Sequence, residues 1–290
     1  MKKLYIITAV LIFAYTIFSP YFLKQIQKRP LKLGYVPQGK LYKAALGEFR
    51  WITGIYFAFR AITYFGGKSK AVAMKNYRQI EYFNLYRTIY QSIMLNPYNE
   101  DAYYFAQAAF IDTGHIKDLN FLLRKAFKYR PWDFQLPFFL GFNNAYFLRN
   151  YDKAAFYFKL AAKLTGSSLF TNLAARYFYE GGRTKLGISF LKYMIKTSRN
   201  RSVKLIYEKR LDALEKIAFL ENAVKRYRKK YGTFPKSLNE LILKHIIKKI
   251  PEDPYHGKFY IENGKIKTTS KLTNHRNGRR NGSNKRRKSS

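Results

Sequence analysis

Two proline-centred breaks most constrain how this chain can fold. The tripeptides Asn-Pro-Tyr at 96–98 and Arg-Pro-Trp at 130–132 each follow a basic amphipathic segment and precede an aromatic-rich one. Their prolines, Pro97 and Pro131, lie 34 residues apart. Proline stops a helix because it lacks a backbone N–H and its ring clashes with the preceding turn. A period in the range of about 20–50 residues is typical of stacked helix pairs. The spacing therefore predicts a mostly α-helical solenoid over residues 41–210.

Each break is followed by two segments whose apolar residues recur at helical spacing. The first helix pair is predicted at 101–112 and 116–129, with Thr113-Gly114 as its breaker. The second pair is predicted at 135–148 and 151–164, broken at Arg149-Asn150. Two earlier helices are expected at 41–65 and 74–95, where Gly66-Gly67 and Asn96-Pro97 provide the stops. These positions predict pairs of helices separated by short breaks.

The second pair carries a recognisable residue pattern. Leu140-Gly141 lies in its first segment, and Ala154, Phe158 and Ala161 lie in its second. This pattern resembles the tetratricopeptide repeat, whose small residues let helices approach closely while aromatic residues fill the space between them. A degenerate third copy has Ala174-Ala175 at the position of Leu140-Gly141, 34 residues later, and the first copy departs from the pattern at Gln107. The resemblance implies stacked helix pairs and names no ligand.

Stacked helix pairs expose a concave surface that is lined by the first helix of each pair. We therefore expect a peptide-binding groove on that surface. Its candidate residues share the inward register of the first helices: Tyr104, Phe138, Phe142, Tyr146, Asn172, Arg176 and Tyr179. The alternative is that most of these aromatic side chains only pack between helices.

Residues 1–23 are predicted to form a transmembrane signal anchor, followed by a linker at 24–40. The twenty residues 4–23 include no Lys, Arg, His, Asp or Glu, and as a helix they would span roughly 30 Å of hydrocarbon. A cleaved signal peptide is the alternative, but 16–22 offer no small-x-small cleavage site. Flanking Lys and Arg favour a cytoplasmic body, whereas signal anchors with a short basic start tend to send the following domain across the membrane.

Residues 211–272 are predicted to form a small α/β module. A helix at 211–230 leads into Tyr-Gly-Thr-Phe-Pro at 231–235, then Ile-Pro-Glu-Asp-Pro at 250–254, then Asn263-Gly264 between two short apolar runs. Asn-Gly between such runs is a strong hairpin signal. The module resembles the C-terminal half of type II secretion major pseudopilins. Because those proteins work outside the cytoplasmic membrane, the resemblance implies an extracytoplasmic body.

The resemblance to pseudopilins has limits. Residues 1–23 lack the Gly-Phe-Thr-Leu-x-Glu processing motif of pilins, so the chain is not predicted to be a pilin subunit. Some pseudopilins hold calcium near this hairpin, and converging oxygen ligands would be needed for that. Glu252, Asp253 and Glu262 are the nearby carboxylates. The alternative is that Asp253 caps the turn before Pro254.

The chain is strongly basic, with a formal net charge of +38, and residues 273–290 form a basic tail with seven Lys or Arg. The tail has no large apolar residue and is predicted to be disordered. Nucleic acid and anionic lipid surfaces are partners that such charge favours. The alternatives are a general Lys-rich composition and a solubilising tail.

The sequence offers little catalytic chemistry. With no cysteine, disulfides and thiolate-ligated metals are excluded, and the four histidines lack metal-ligand spacing. The Gly-Gly pairs neither follow a strand nor carry Gly-Lys-Ser/Thr, so no phosphate loop is predicted. We expect no enzymatic activity, no cofactor and no small-molecule substrate.

These observations predict a membrane-anchored scaffold for protein–protein interaction in a cell-envelope assembly such as a secretion or pilus machine. Its partner would be a protein or peptide segment of that assembly, held near the membrane. The alternative is a protein that binds nucleic acid or anionic lipid through its basic surface and tail. A third hypothesis is an assembly factor that co-polymerises through its pseudopilin-like end.

Overall fold

The computed structural model describes residues 2–28, 32–36, 42, 45–68, 80–111, 113–270 and 272. The described chain is mostly α-helical with one small antiparallel sheet, as the sequence predicts. It divides into two units, Met1–Arg130 and Pro131–Ser290. The predicted basic tail at 273–290, residues 29–31 and 37–40 of the predicted linker, and 74–79 of the predicted helix at 74–95 lie outside the described residues.

The first unit contains five described helices and one 3-10 turn. They are α1 (Lys2–Lys28), the turn Gly47–Phe49, α2 (Arg50–Gly67), α3 (Tyr82–Leu95), α4 (Glu100–Phe110) and α5 (Ile116–Tyr129). Helices α2 and α3 pack closely, because Gly54 lets the backbones approach. A Cβ on Gly54 would lie 2.9 Å from the Asn96 nitrogen, and the Ser92 hydroxyl donates to the Gly54 carbonyl at 2.7 Å. Helices α4 and α5 form the predicted pair.

Helix α1 covers the stretch that was predicted to be a transmembrane helix. Pro20 lies inside it, and many of its apolar side chains are exposed. Within the described part of the chain, no helix is both long enough and apolar enough to cross a membrane. The predicted transmembrane character of 1–23 therefore gains no support from the structure.

The second unit begins with a run of consecutive helices. They are α6 (Gln135–Tyr146), α7 (Tyr151–Thr165), α8 (Ser168–Glu180), α9 (Thr184–Thr197), α10 (Arg201–Tyr231) and α11 (Leu238–Leu243). From α6 to α10 each helix packs against the next one in the chain. This sequential packing is consistent with a repeat-like solenoid. Membership of the tetratricopeptide family stays a prediction.

Local sequence explains where these helices begin and end. The side chains of Asn150 and Asn200 accept hydrogen bonds from the backbone N–H groups of Lys153 and Val203, so both asparagines cap helix N-termini. Helix α7 ends at Thr165, and the next residue, Gly166, caps it with a φ of +66°. Glycine enters this left-handed region without the steric cost that a Cβ brings.

The predicted close approach of α6 and α7 is present. Gly141 is buried, and a Cβ at that position would lie 3.1 Å from three atoms of the Phe158 ring. The ring fills the space that the missing side chain leaves. Ala154 and Ala161 are fully buried on α7. The small and aromatic residues therefore have the roles that the pattern predicted for them.

The predicted hairpin is confirmed. Strands β1 (Phe259–Glu262) and β2 (Lys265–Thr268) pair antiparallel, with Ile261 opposite Ile266. Asn263 and Gly264 have φ values of +50° and +72°, which a two-residue type I′ turn requires. The hairpin shares one continuous hydrophobic core with α7 to α10. Helix α10 starts at Arg201, so the predicted boundary at 210 falls inside a single helix.

Replacing Gly264 by alanine should destabilise the hairpin, because the methyl group meets two obstacles. It would lie 2.7 Å from the Phe234 ring, and the backbone has a positive φ. We expect Gly264→Ala to lower the free energy of unfolding by about 2 kcal/mol. Gly166→Ala is the matched control, since φ is also positive there but no atom of the described residues would contact its Cβ within 4 Å. It should cost about 1 kcal/mol. Equal losses in urea unfolding would show that the Phe234 contact is unimportant.

Candidate protein-interaction surfaces

An aromatic stripe follows one face of helix α6. Phe138, Phe142 and Tyr146 recur every four residues, so they lie one above another on the helix. We call these three residues the α6 stripe. Phe142 is 36% exposed and Tyr146 is 63% exposed, and their rings stack with centroids 5.6 Å apart. The structure thus brings three of the predicted groove residues together on one face of α6, and two of them, Phe142 and Tyr146, are exposed.

Phe138 has a different role from the other two members of the stripe. Its ring centroid lies 6.3 Å from that of Phe158 and 5.5 Å from that of Phe170, and it packs against the hydrophobic core. Phe138 therefore anchors α6 to its neighbours, as the packing alternative predicted. Phe142 and Tyr146 remain available to a partner.

Tyr179 lies on α8 and is covered by the C-terminal hairpin. Only 6% of the residue is exposed, and its hydroxyl donates to the Ile266 carbonyl of β2 at 2.8 Å. Burial raises the pKa of Tyr179, and the nearby carboxylate of Glu180 raises it further. The Lys267 ammonium pairs with Glu180 at 2.9 Å. The hairpin thus occupies the part of the predicted groove to which Tyr179 was assigned.

Asn172 and Arg176 occupy successive turns of α8. Asn172 is half-buried, and its Oδ1 has no hydrogen-bond partner among the described residues. The Arg176 guanidinium is exposed and lies 5.8 Å from the Tyr177 ring centroid. Arg210 on α10 is buried, and burial lowers its pKa, with the charge of Arg176 adding to that effect. Two guanidinium groups, those of Arg176 and Arg210, therefore lie near this part of α8.

Tyr104 is separate from the other predicted residues. It lies on α4 of the first unit and is half-buried, whereas the other six predicted groove residues belong to the second unit.

A second surface was missed by sequence reasoning. A groove of about 620 Å³ runs between α7 and α9, and we call it the α7–α9 groove. Its lining residues come from α7, α8, α9 and the turn before α9: Asp152, Phe156, Lys159, Lys163, Phe178, Arg183, Leu186, Ser189, Phe190 and Tyr193. A neighbouring cavity of about 320 Å³ shares Lys163 and Tyr193 and reaches Tyr207. The two cavities are therefore adjacent at Lys163 and Tyr193.

The groove combines an apolar interior with a basic rim. Phe178 and Phe190 are buried, with ring centroids 6.2 Å apart, while Phe156, Leu186 and Tyr193 are each about half exposed. Among the described residues that line the groove, three are cations (Lys159, Lys163 and Arg183) and one, Asp152, is a carboxylate. Asp152 lies 3.6 Å from the Arg183 Nε. The net charge of the lining is therefore positive.

The carboxylates near the hairpin do not form a cluster. Asp253 accepts hydrogen bonds from the Tyr255 N–H and the Ser270 hydroxyl, each at 2.8 Å, and from the Thr268 hydroxyl. The bond from Tyr255 gives Asp253 the turn-capping role that was predicted as the alternative to calcium. Across the described ranges, no three His, Cys, Asp or Glu side chains are grouped so that they could hold a metal ion.

Comparison with known proteins gives no match: no protein-family model, no curated protein and no solved structure is significantly similar to this chain.

Proposed function

We propose that this protein is a scaffold that holds a segment of another protein in a cell-envelope assembly. The α6 stripe is the observation that carries the proposal. Phe142 and Tyr146 form a stacked, exposed aromatic pair on a helix whose other side is fixed in the core. Rigid aromatic side chains give a large contact area at low entropic cost, and aromatic residues are enriched among those that dominate binding energy.

The proposal places the scaffold at the cell membrane, with the body on the extracytoplasmic side. Support for contact with a membrane comes from helix α1. Nine of its apolar side chains are between 54% and 72% exposed: Ile7, Val10, Leu11, Ile12, Phe13, Tyr15, Ile17, Phe18 and Tyr21. Exposed apolar surface of this kind is costly in water. Location outside the cytoplasm rests on the resemblance of 211–272 to pseudopilins.

A double substitution in the stripe tests the scaffold function. Phe142→Ala with Tyr146→Ala removes exposed rings and leaves the core packing of Phe138 intact, so the fold should persist. We expect capture of envelope proteins by the immobilised full chain to fall at least about 30-fold, corresponding to about 2 kcal/mol. Capture is quantified at about 1 M salt, where the Debye length is about 3 Å and charge contacts are screened.

The control variant removes exposed apolar side chains elsewhere. Leu205→Ala with Phe219→Ala alters two exposed positions of α10, which are 59% and 46% exposed, and should leave capture unchanged. Loss of the same proteins in both variants would contradict a role for the stripe.

Binding to nucleic acid or anionic lipid is the second candidate function, and the net charge of +38 favours it. This candidate predicts the opposite salt response, because displacement of counterions makes such binding fall steeply as salt rises. Binding that vanishes at high salt, and that also vanishes when 273–290 are deleted, would support this candidate over the scaffold.

A further inference from the structure

We propose that the α7–α9 groove is a second docking site and that its occupant is an acidic amphipathic helix of a partner protein. The site uses residues outside the α6 stripe, so the two surfaces can be tested separately. The proposal goes beyond the scaffold function because it assigns a chemistry to the partner segment.

The dimensions of the groove suit a helix. Along α7 the lining extends from Asp152 to Lys163, which is about 16 Å at 1.5 Å per residue, or about three helical turns. Helices α7 and α9 both pack on α8, which leaves a furrow between them with Phe178 in its lining. An additional helix in this furrow would pack ridges into grooves, as neighbouring helices of the unit already do. Helix-in-groove binding uses apolar side chains at i, i+3, i+4 and i+7.

The apolar lining of the α7–α9 groove is complementary to a helix that has an apolar face. Phe156, Leu186 and Tyr193 are 49%, 54% and 54% exposed, and they surround a buried pair, Phe178 and Phe190. A contiguous apolar patch with a polar rim is typical of interaction sites. Burying the exposed parts of these three side chains would provide the driving force for docking.

The basic rim of the groove is complementary to acidic residues that flank the apolar face of the docked helix. Arg183 lies near the start of α7, where it approaches Asp152, and Lys163 lies near the end of the same helix. Lys159 lies between them, one helical turn before Lys163. The cations are therefore spread along the groove and not gathered at one end. A helix with Asp or Glu along its flank can meet all of them, whereas one lipid head group cannot.

Helix α1, whose apolar side chains are largely exposed, is a poor occupant of the groove. Helix α1 contains no Asp or Glu and carries Lys2, Lys3, Lys24 and Lys28. Its positive charge has the same sign as the charge of the groove rim, and like charges disfavour docking. Charge complementarity therefore selects a segment from another protein.

Two synthetic peptides test the inference with the full-length protein. Each is a helix of about 16 residues, about 24 Å long, with leucine at i, i+3, i+4 and i+7. One carries glutamate at the flanking positions, and its twin carries lysine at the same positions. We expect fluorescence anisotropy to show at least about tenfold tighter binding of the glutamate peptide. Phe156→Ala with Tyr193→Ala should weaken that binding at least about tenfold.

A charge-matched control separates the groove from the overall positive charge. Lys159→Glu with Lys163→Glu should abolish the preference for the glutamate peptide. Lys229→Glu with Lys248→Glu changes the net charge equally at exposed positions outside the groove, and the preference should persist. An equal effect of both pairs would overturn the proposal, as would absence of binding by the glutamate peptide. Binding of phosphatidylglycerol vesicles through Lys159 and Lys163 without peptide binding would also overturn it, in favour of a lipid site.

Discussion

Phe158→Ala should lower the free energy of unfolding of the second unit by about 3–5 kcal/mol, the range for deleting a fully buried phenylalanine. Phe158 is 2% exposed and lies at the junction of three helices. Its ring stacks on Tyr177 of α8 with centroids 5.4 Å apart, and it fills the space beside Gly141 of α6. Removing the ring leaves a cavity that α6 and α8 cannot both close. Urea unfolding should show a midpoint lower by about 2 M, for a slope of about 2 kcal/mol per molar.

Phe156→Ala is the matched control, because it removes the same ring from the same helix. Phe156 is 49% exposed and contributes to the groove instead of the core. We expect its loss to change the free energy of unfolding by no more than about 0.5 kcal/mol. If Phe156→Ala destabilised the protein as much as Phe158→Ala does, the assignment of faces on α7 would be wrong.

The contact between Gly141 and Phe158 can be isolated by a double-mutant cycle. A Cβ at Gly141 would lie 3.1 Å from the ring, so Gly141→Ala crowds the native protein. With Phe158→Ala in place the new methyl group enters the cavity instead. Gly141→Ala should therefore be at least about 1 kcal/mol less unfavourable in that background, since contacting residues couple. Additive effects would show that the two residues do not constrain each other.

Local signals in the sequence predicted the elements of this fold well. Pro97 and Pro131 mark helix ends, and the predicted helices at 116–129 and 151–164 match α5 and α7 within one residue. Asn263-Gly264 located the hairpin turn. Each of these signals acts over a few residues, either through the backbone conformation that Asn-Gly favours or through the backbone N–H donor that proline lacks. Such constraints are visible in the sequence itself.

Contacts between residues far apart in the chain could not be predicted from such local signals. The hydroxyl of Tyr179 reaches the Ile266 carbonyl across 87 positions of sequence, so the hairpin covers a face that the repeat pattern left open. The helical period could not reveal this contact. It shows which face of α8 a residue lies on, but not whether that face is open or covered by the hairpin.

The α7–α9 groove was missed for a related reason. Phe156 and Phe158 are both aromatic and only two positions apart, yet one is half exposed and the other buried. In a chain that is 18% aromatic, exposed and buried rings are hard to distinguish by composition. Two positions on a helix differ by about 200° in direction, which places the rings on nearly opposite faces. Phe158 packs against Gly141 of α6 and Tyr177 of α8, whereas Phe156 lines the groove.

Asp253→Ala should have the second largest effect, about 3 kcal/mol, because three donors lose their acceptor. The Tyr255 N–H and the hydroxyls of Thr268 and Ser270 all donate to this 6%-exposed carboxylate. A buried donor left unpaired costs about 1–3 kcal/mol, and water entering the site would recover part of the sum. The loop and β2 would separate first, so hydrogen exchange of the Thr269 and Ser270 amides should become faster along with the global loss.

Two further variants test whether the loss of stability in Asp253→Ala comes from the loss of the hydrogen-bond acceptor. Asp253→Asn keeps the shape and one acceptor oxygen, and the two hydroxyls can rotate, so the loss should fall to about 1 kcal/mol. Glu252→Ala removes an exposed neighbouring carboxylate and should change the free energy of unfolding by no more than about 0.5 kcal/mol. Equal losses for Asn and Ala at position 253 would point to charge, not hydrogen bonding, as the source of stability. Unchanged exchange at Thr269 and Ser270 in Asp253→Ala would show that this carboxylate does not hold the hairpin to its loop.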